Sequence, residues 1–113
     1  VVGMNFYIGN SIDEIDEQDV NVEFSDELID FIYKMRDRTS FDMSKLYQID
    51  PYDDVEISKG DLAEISRICK NILDAMLLQN YEEPDEGNQM LQDLLKIIQK
   101  AMSSDSGLVS IGD

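Results

Sequence analysis

The chain has 113 residues, 25 of them acidic and 9 basic, for a formal charge of −16, with one cysteine and no histidine. That length holds one modest hydrophobic core. A field this negative repels nucleic acid, anionic lipid and nucleotide phosphate, and it draws cationic partners inward. The lack of histidine removes the usual general base, the commonest metal ligand and any Ser-His or Cys-His nucleophile pair.

Val1, Val2 and Gly3 precede Met4, which can serve as a native start; residues 1–3 are therefore read as a remnant of expression and residues 4–113 as a single compact domain. Phe6, Tyr7 and Ile8 make a short aromatic run, a strand or an extended segment laid on the core. Asn10 to Asp19 then carries Asp13, Glu14, Asp16, Glu17 and Asp19, with only Ile12 and Ile15 as apolar punctuation. From Val1 to Tyr33 there are nine acids and no base. Their mutual repulsion disfavours burial of the acidic run against anything but a cationic surface. Val20, Val22 and Phe24 alternate with polar residues, the period of a half-exposed strand.

Ser25 is a good N-cap, with Phe24 and Ile29 in the hydrophobic-staple positions. Asp26 and Glu27 place negative charge at the start of the helix, and Lys34 and Arg36 lie toward its end. This predicts a helix over residues 26–36 with Leu28, Ile29, Ile32 and Met35 inward. Lys34, Arg36 and Arg38 form the basic cluster, and residues 37–57 are a mixed connection with a short helix near 42–47 and a rigid turn at Asp50-Pro51 that presents acids at its tip.

The longest unbroken helical period runs from Ser58 to Asn80. Leu62, Ile65, Cys69, Ile72 and Met76 share one face, which Ile68, Leu73 and Leu77 widen. Ser58 caps this central helix, with Asp61 three residues on. After the acidic, Pro- and Gly-punctuated connection 81–87, Leu91, Leu94, Leu95, Ile98 and Met102 predict a third long helix over 87–102. Leu108, Val109 and Ile111 form an apolar tail that docks on the body. The expected fold is mainly α: a compact bundle of three long helices, with extended N- and C-terminal segments that pair as minor β-structure. The alternative is α+β, should 6–8, 20–24 and 108–111 form a true sheet.

The chain has no Gly-rich phosphate loop, Walker pattern or CxxC pair. Cys69 falls on the apolar stripe and reads as a structural thiol. A single cysteine cannot close an internal disulfide, which fits a reducing cytoplasm. No run of about 18 apolar residues marks a membrane span, and no basic-then-apolar stretch marks a signal peptide. Neither acid-dense stretch, 13–19 or 50–56, has the spacing of a calcium loop. Among 25 acids, carboxylate pairs of the kind used in catalysis arise by chance. The expectation is a protein without enzymatic activity, cofactor or metal.

Three acidic segments, at 13–19, 50–56 and 82–86, each carry a neighbouring apolar or aromatic group: Ile12 and Ile15, Tyr52, and Tyr81. An anchor inside a charged rim is the anatomy of a protein-protein contact. Taken singly, Tyr52 and Tyr81 read rather as cover for the core, with the acids facing water.

Leu46-Tyr47-Gln48-Ile49-Asp50-Pro51-Tyr52-Asp53-Asp54, followed by a capped helix bearing a cysteine, and the ending Gly107-Leu108-Val109-Ser110-Ile111-Gly112-Asp113 together resemble small bacterial immunity proteins. Those are encoded beside polymorphic toxins, including toxins of contact-dependent inhibition. The resemblance implies a cytoplasmic protein that neutralises a cognate toxin, such as a nuclease, by covering its basic cleft. On that reading the expected contacts are Asp13, Glu14, Asp16, Glu17 and Asp19 together with Tyr52, Asp53 and Asp54. The partner is a basic protein domain, not nucleic acid or membrane, and the chain is a monomer or weak homodimer. Two alternatives stand beside it: a DNA mimic of the anti-restriction kind, which needs acids along an elongated face, and an acidic adaptor or structural subunit. A carboxylate enzyme would require a concave pocket with two acids of divergent pKa.

Overall fold

The computed structural model describes residues 3–112. Its elements run β1 (Gly3–Ile8), β2 (Asn21–Ser25), α1 (Asp26–Lys34), α2 (Ser44–Tyr47), β3 (Val55–Ile57), α3 (Lys59–Asp74), α4 (Pro84–Ser103) and β4 (Leu108–Gly112). The four strands form one antiparallel sheet in the order β2-β1-β4-β3. The expected bundle of three long helices is therefore overturned, and the fold is the alternative, α+β. Only α3 and α4 are long, while α1 has nine residues. The short apolar runs are not tails on a bundle. They are the sheet itself, with β1 and β4 side by side at its centre, Met4 opposite Gly112 and Ile8 opposite Leu108. Hydrogen bonding between residues a hundred positions apart leaves no local period to read.

Gly3 is the first residue of β1, opposite Ser25, and a side chain there would run into the Phe24 carbonyl oxygen. Of the segment read as an expression remnant, Val1 and Val2 lie outside the described residues, as does Asp113 at the other end.

Both expected caps are present. The Ser25 hydroxyl accepts the Leu28 amide at 3.2 Å and the Ser58 hydroxyl accepts that of Asp61 at 3.3 Å. The helix ends differ from expectation. α1 closes at Lys34, and residues 36–38 continue as a 3₁₀ turn. α3 stops at Asp74, because Met76 swings into the left-handed region (φ 52°) and the chain goes on as a 3₁₀ turn over Leu77–Asn80. Met76, expected on the core stripe, is two-thirds exposed. α4 begins earlier than expected, with Pro84 in its first turn, where a missing N–H costs nothing. Gly87 is thus inside the helix. A Cβ at that position would sit 2.9 Å from Leu78 Cδ1 and 3.1 Å from the Tyr81 ring, so the glycine lets the preceding turn close on α4.

One face of the sheet, carrying Met4, Phe6, Phe24, Ile57 and Leu108, packs on Leu62, Ile65, Cys69 and Ile72 of α3 and on Leu91, Leu94 and Ile98 of α4. Burial pushes the Cys69 thiol up to about 12, so it stays protonated and inert. Among the described residues, no helix is long and apolar enough to cross a membrane.

Candidate functional surface

The outer face of the sheet carries Tyr7, Val109 and Glu56. Tyr7 and Glu56 each stand opposite Val109 from the flanking strands, and partners in register share a face. Residues 9–20 form a strap across this face. The Gly9 amide donates to the Gly107 carbonyl (3.1 Å), the Gly107 amide to Asn10 Oδ1 (2.9 Å), the Ile12 amide to Glu56 Oε2 (2.8 Å) and the Tyr7 hydroxyl to the Glu17 carbonyl (3.4 Å). Tyr7 and Val109 are buried. Burial raises the Tyr7 phenol above its ordinary value of 10.0, and the charges of Glu17, Asp19 and Asp16 raise it further. The acidic run therefore settles on a sheet face that itself offers a carboxylate, not on a cationic surface. Backbone hydrogen bonds and apolar burial outweigh repulsion among carboxylates that remain solvated.

A second acidic surface surrounds the start of α1. The Ser25 cap fixes Asp26 and Glu27 in the first turn, where they form a ridge between two hollows. The smaller, of about 320 Å³, is lined by Ser25, Tyr81, Glu83, Glu86 and Met90 as well as the ridge. The larger, of about 410 Å³, is lined by Ile29, Asp30, Tyr33, Tyr47, Pro51 and Tyr52 on the other side. Neither lining includes a basic side chain.

The tyrosines are held in place. Tyr52 donates its hydroxyl to Asp26 Oδ2 at 2.7 Å, tying the 50–54 turn to α1. This bond is the main reason the Tyr52 phenol is raised above 10.0, ahead of desolvation and the charges of Asp26, Asp50 and Asp30. Tyr33 and Tyr47 meet edge to face, with centroids 5.2 Å apart. Tyr81 packs on Phe31 at 5.0 Å. Burial raises its phenol, a hydrogen bond with Ser25 lowers it, and Glu27, Glu86 and Glu82 raise it again. Two cations border the larger hollow: Lys34 pairs with Asp30 at 2.8 Å, and the Arg36 guanidinium lies 3.9 Å over the Tyr33 ring.

The eight residues expected from sequence divide between these surfaces. Asp13, Glu14, Asp16, Glu17 and Asp19 are on the strap, where three carboxylates hold the loop itself. Glu14 Oε1 accepts the Asn10 amide (3.0 Å), Asp16 Oδ1 that of Gln18 (3.0 Å) and Asp19 Oδ2 that of Asp16 (3.3 Å). Tyr52 belongs to the α1 surface. Asp53 accepts the Asp54 amide (2.8 Å), and Asp54 accepts that of Gly112 (3.1 Å), anchoring the turn to the end of β4. A Cβ on Gly112 would collide with the Asp53 backbone, so that turn lies directly on the strand end. The two groups thus sit on different elements: strap on the outer sheet face, turn against α1.

Sequence reasoning missed Asp30, Tyr33 and Tyr47 as site residues and assigned Asp26 and Glu27 only to the helix dipole. The signal was present. Asp26, Asp30 and Tyr33 recur at i, i+4 and i+7, which puts an aromatic on the polar face of α1. Among the described residues, no group of three His, Cys, Asp or Glu side chains could hold a metal ion. Comparison with protein-family models, curated proteins and solved structures gives no match. Fold and surface define an α+β protein whose open face is walled by tyrosines and lined by carboxylates.

Proposed function

We propose that this chain is an inhibitor of the immunity type, which neutralises a cognate toxin by laying the Asp26–Glu27 ridge into the toxin's basic cleft. The observation that supports this is the pairing of two tyrosine-walled hollows about one acidic ridge, with no basic residue in either lining. Segment 46–54, which carries the resemblance to immunity proteins, supplies Tyr47, Pro51 and Tyr52 to the larger hollow. Asp26, Glu27, Glu83 and Glu86 stand where a nuclease would hold phosphates, while the rings exclude water and give the contact its anchors. The strap acids Asp13 and Glu17, with the rest of the −16 charge, add long-range steering, so that capture in the cytoplasm outpaces damage.

The test is co-purification of the tagged chain at low salt from cells that naturally produce it, with mass spectrometry of what remains bound. The expected result is one basic toxin domain in equimolar amount, released by high salt and inactive until released. Recovery of a restriction enzyme would replace this reading with DNA mimicry. Recovery of no basic partner would remove it.

A further inference from the structure

The larger hollow is more specific than a patch of negative charge. Its walls are the rings of Tyr33, Tyr47 and Tyr52, with Asp26, Glu27 and Asp30 along one side. Asp30 already holds Lys34, and one oxygen of Asp26 accepts the Tyr52 hydroxyl. That leaves the other oxygen of Asp26 and the Glu27 carboxylate to a visitor. Tyr33 and Tyr47 stand nearly perpendicular, at 80°, which fixes the two rings against each other in the wall of the hollow. Resting on the reading of this surface as the docking face for a basic partner, we propose that the hollow between α1 and the 47–52 turn is a receptor for one arginine side chain of that partner.

The chemistry selects arginine over lysine. A guanidinium is flat, weakly hydrated and forked, so it can stack on a ring while donating to a carboxylate, whereas an ammonium is a compact, strongly hydrated point charge. The chain shows the stacking itself: Arg36 lies 3.9 Å over Tyr33 while its Nη1 donates to the Tyr33 carbonyl at 2.8 Å. Arg36 is not in the lining, so the hollow remains open to a second guanidinium from outside. The smaller hollow has four carboxylates but one ring, which suits any cation and favours none.

The test titrates tetra-arginine and tetra-lysine amides, equal in charge, into the full chain at about 0.15 M salt, where exposed charges beyond about 8 Å are screened. Ring signals of labelled tyrosines are followed by NMR. Stacking at an exposed site favours the arginine peptide by about two- to fivefold, with shifts at Tyr33, Tyr47 and Tyr52. Tyr33 and Tyr52 are about half exposed, so the double variant Y33A/Y52A keeps its fold, and it is expected to abolish the preference while Tyr52→Phe retains it. Equal affinities for both peptides, or a preference that survives in Y33A/Y52A, would overturn the receptor and leave the acidic docking face standing. Failure of both peptides to bind would overturn the docking face as well.

Discussion

The strap over 9–20 and the ridge at the start of α1 are both dense in carboxylates, yet they use them in opposite ways. In the strap, Glu14, Asp16 and Asp19 turn inward on their own loop's amides, Glu56 reaches up from the sheet, and Tyr7 is roofed over. At the ridge, Asp26 positions an exposed tyrosine, and Glu27 borders two open hollows. Charge density alone does not separate a self-contained loop from an open acidic surface. What separates them is whether polar atoms are satisfied within the chain and whether aromatic surface is left uncovered.

The widest contrast is expected between two tyrosines. Tyr7→Ala empties a buried site beneath the strap and should cost about 3 kcal/mol in urea unfolding. Tyr52→Ala, on a side chain 60% exposed, removes one exposed hydrogen bond to Asp26 and should cost well under half as much, while weakening partner binding. Equal losses of stability would erase the distinction. A smaller effect probes the strap's attachment. Glu56→Ala removes the acceptor for the Ile12 amide and should cost about 0.5 kcal/mol, with faster hydrogen exchange at Ile12 and no change at α1.

The subtlest difference is in ionisation. Both phenols hold their protons above the ordinary value of 10.0, Tyr7 chiefly through burial and Tyr52 chiefly through its bond to Asp26. Since the folded phenols release protons at higher pH than the unfolded ones, their contribution to stability is complete below about pH 10 and is lost as pH rises beyond it. Asp26→Asn should bring the Tyr52 titration back toward 10 and leave Tyr7 where it is, as ring-carbon NMR would register.

What the sequence made legible followed from local chemistry. The caps at Ser25 and Ser58, the inward faces of α1 and α3, and the 50–54 turn are each written within a few residues. The pairing of the sheet is not, although 6–8, 20–24 and 108–111 read as candidate strands. Its central pair joins Met4 to Gly112, and the three residues of β3 are too few to show a period. The early end of α3 is equally silent, because the left-handed residue is Met76 and not a glycine; Met76→Gly should therefore raise stability by about 1 kcal/mol. For the surface, the acid-rich strap drew attention through its composition. Whether a carboxylate faces a hollow or its own loop is set by tertiary contacts, which spacing along the chain does not encode.

The most direct measurement is stopped-flow association of the co-purified partner with two charge-reversed variants over a range of salt. E27K/E86K should slow association at least tenfold at low salt and flatten its salt dependence, with off-rates also rising. D13K/E17K, altering strap carboxylates that line neither hollow, should slow it about twofold and leave the off-rate unchanged. The opposite ranking, or equal effects from the two pairs, would contradict the assignment of the ridge as the docking face.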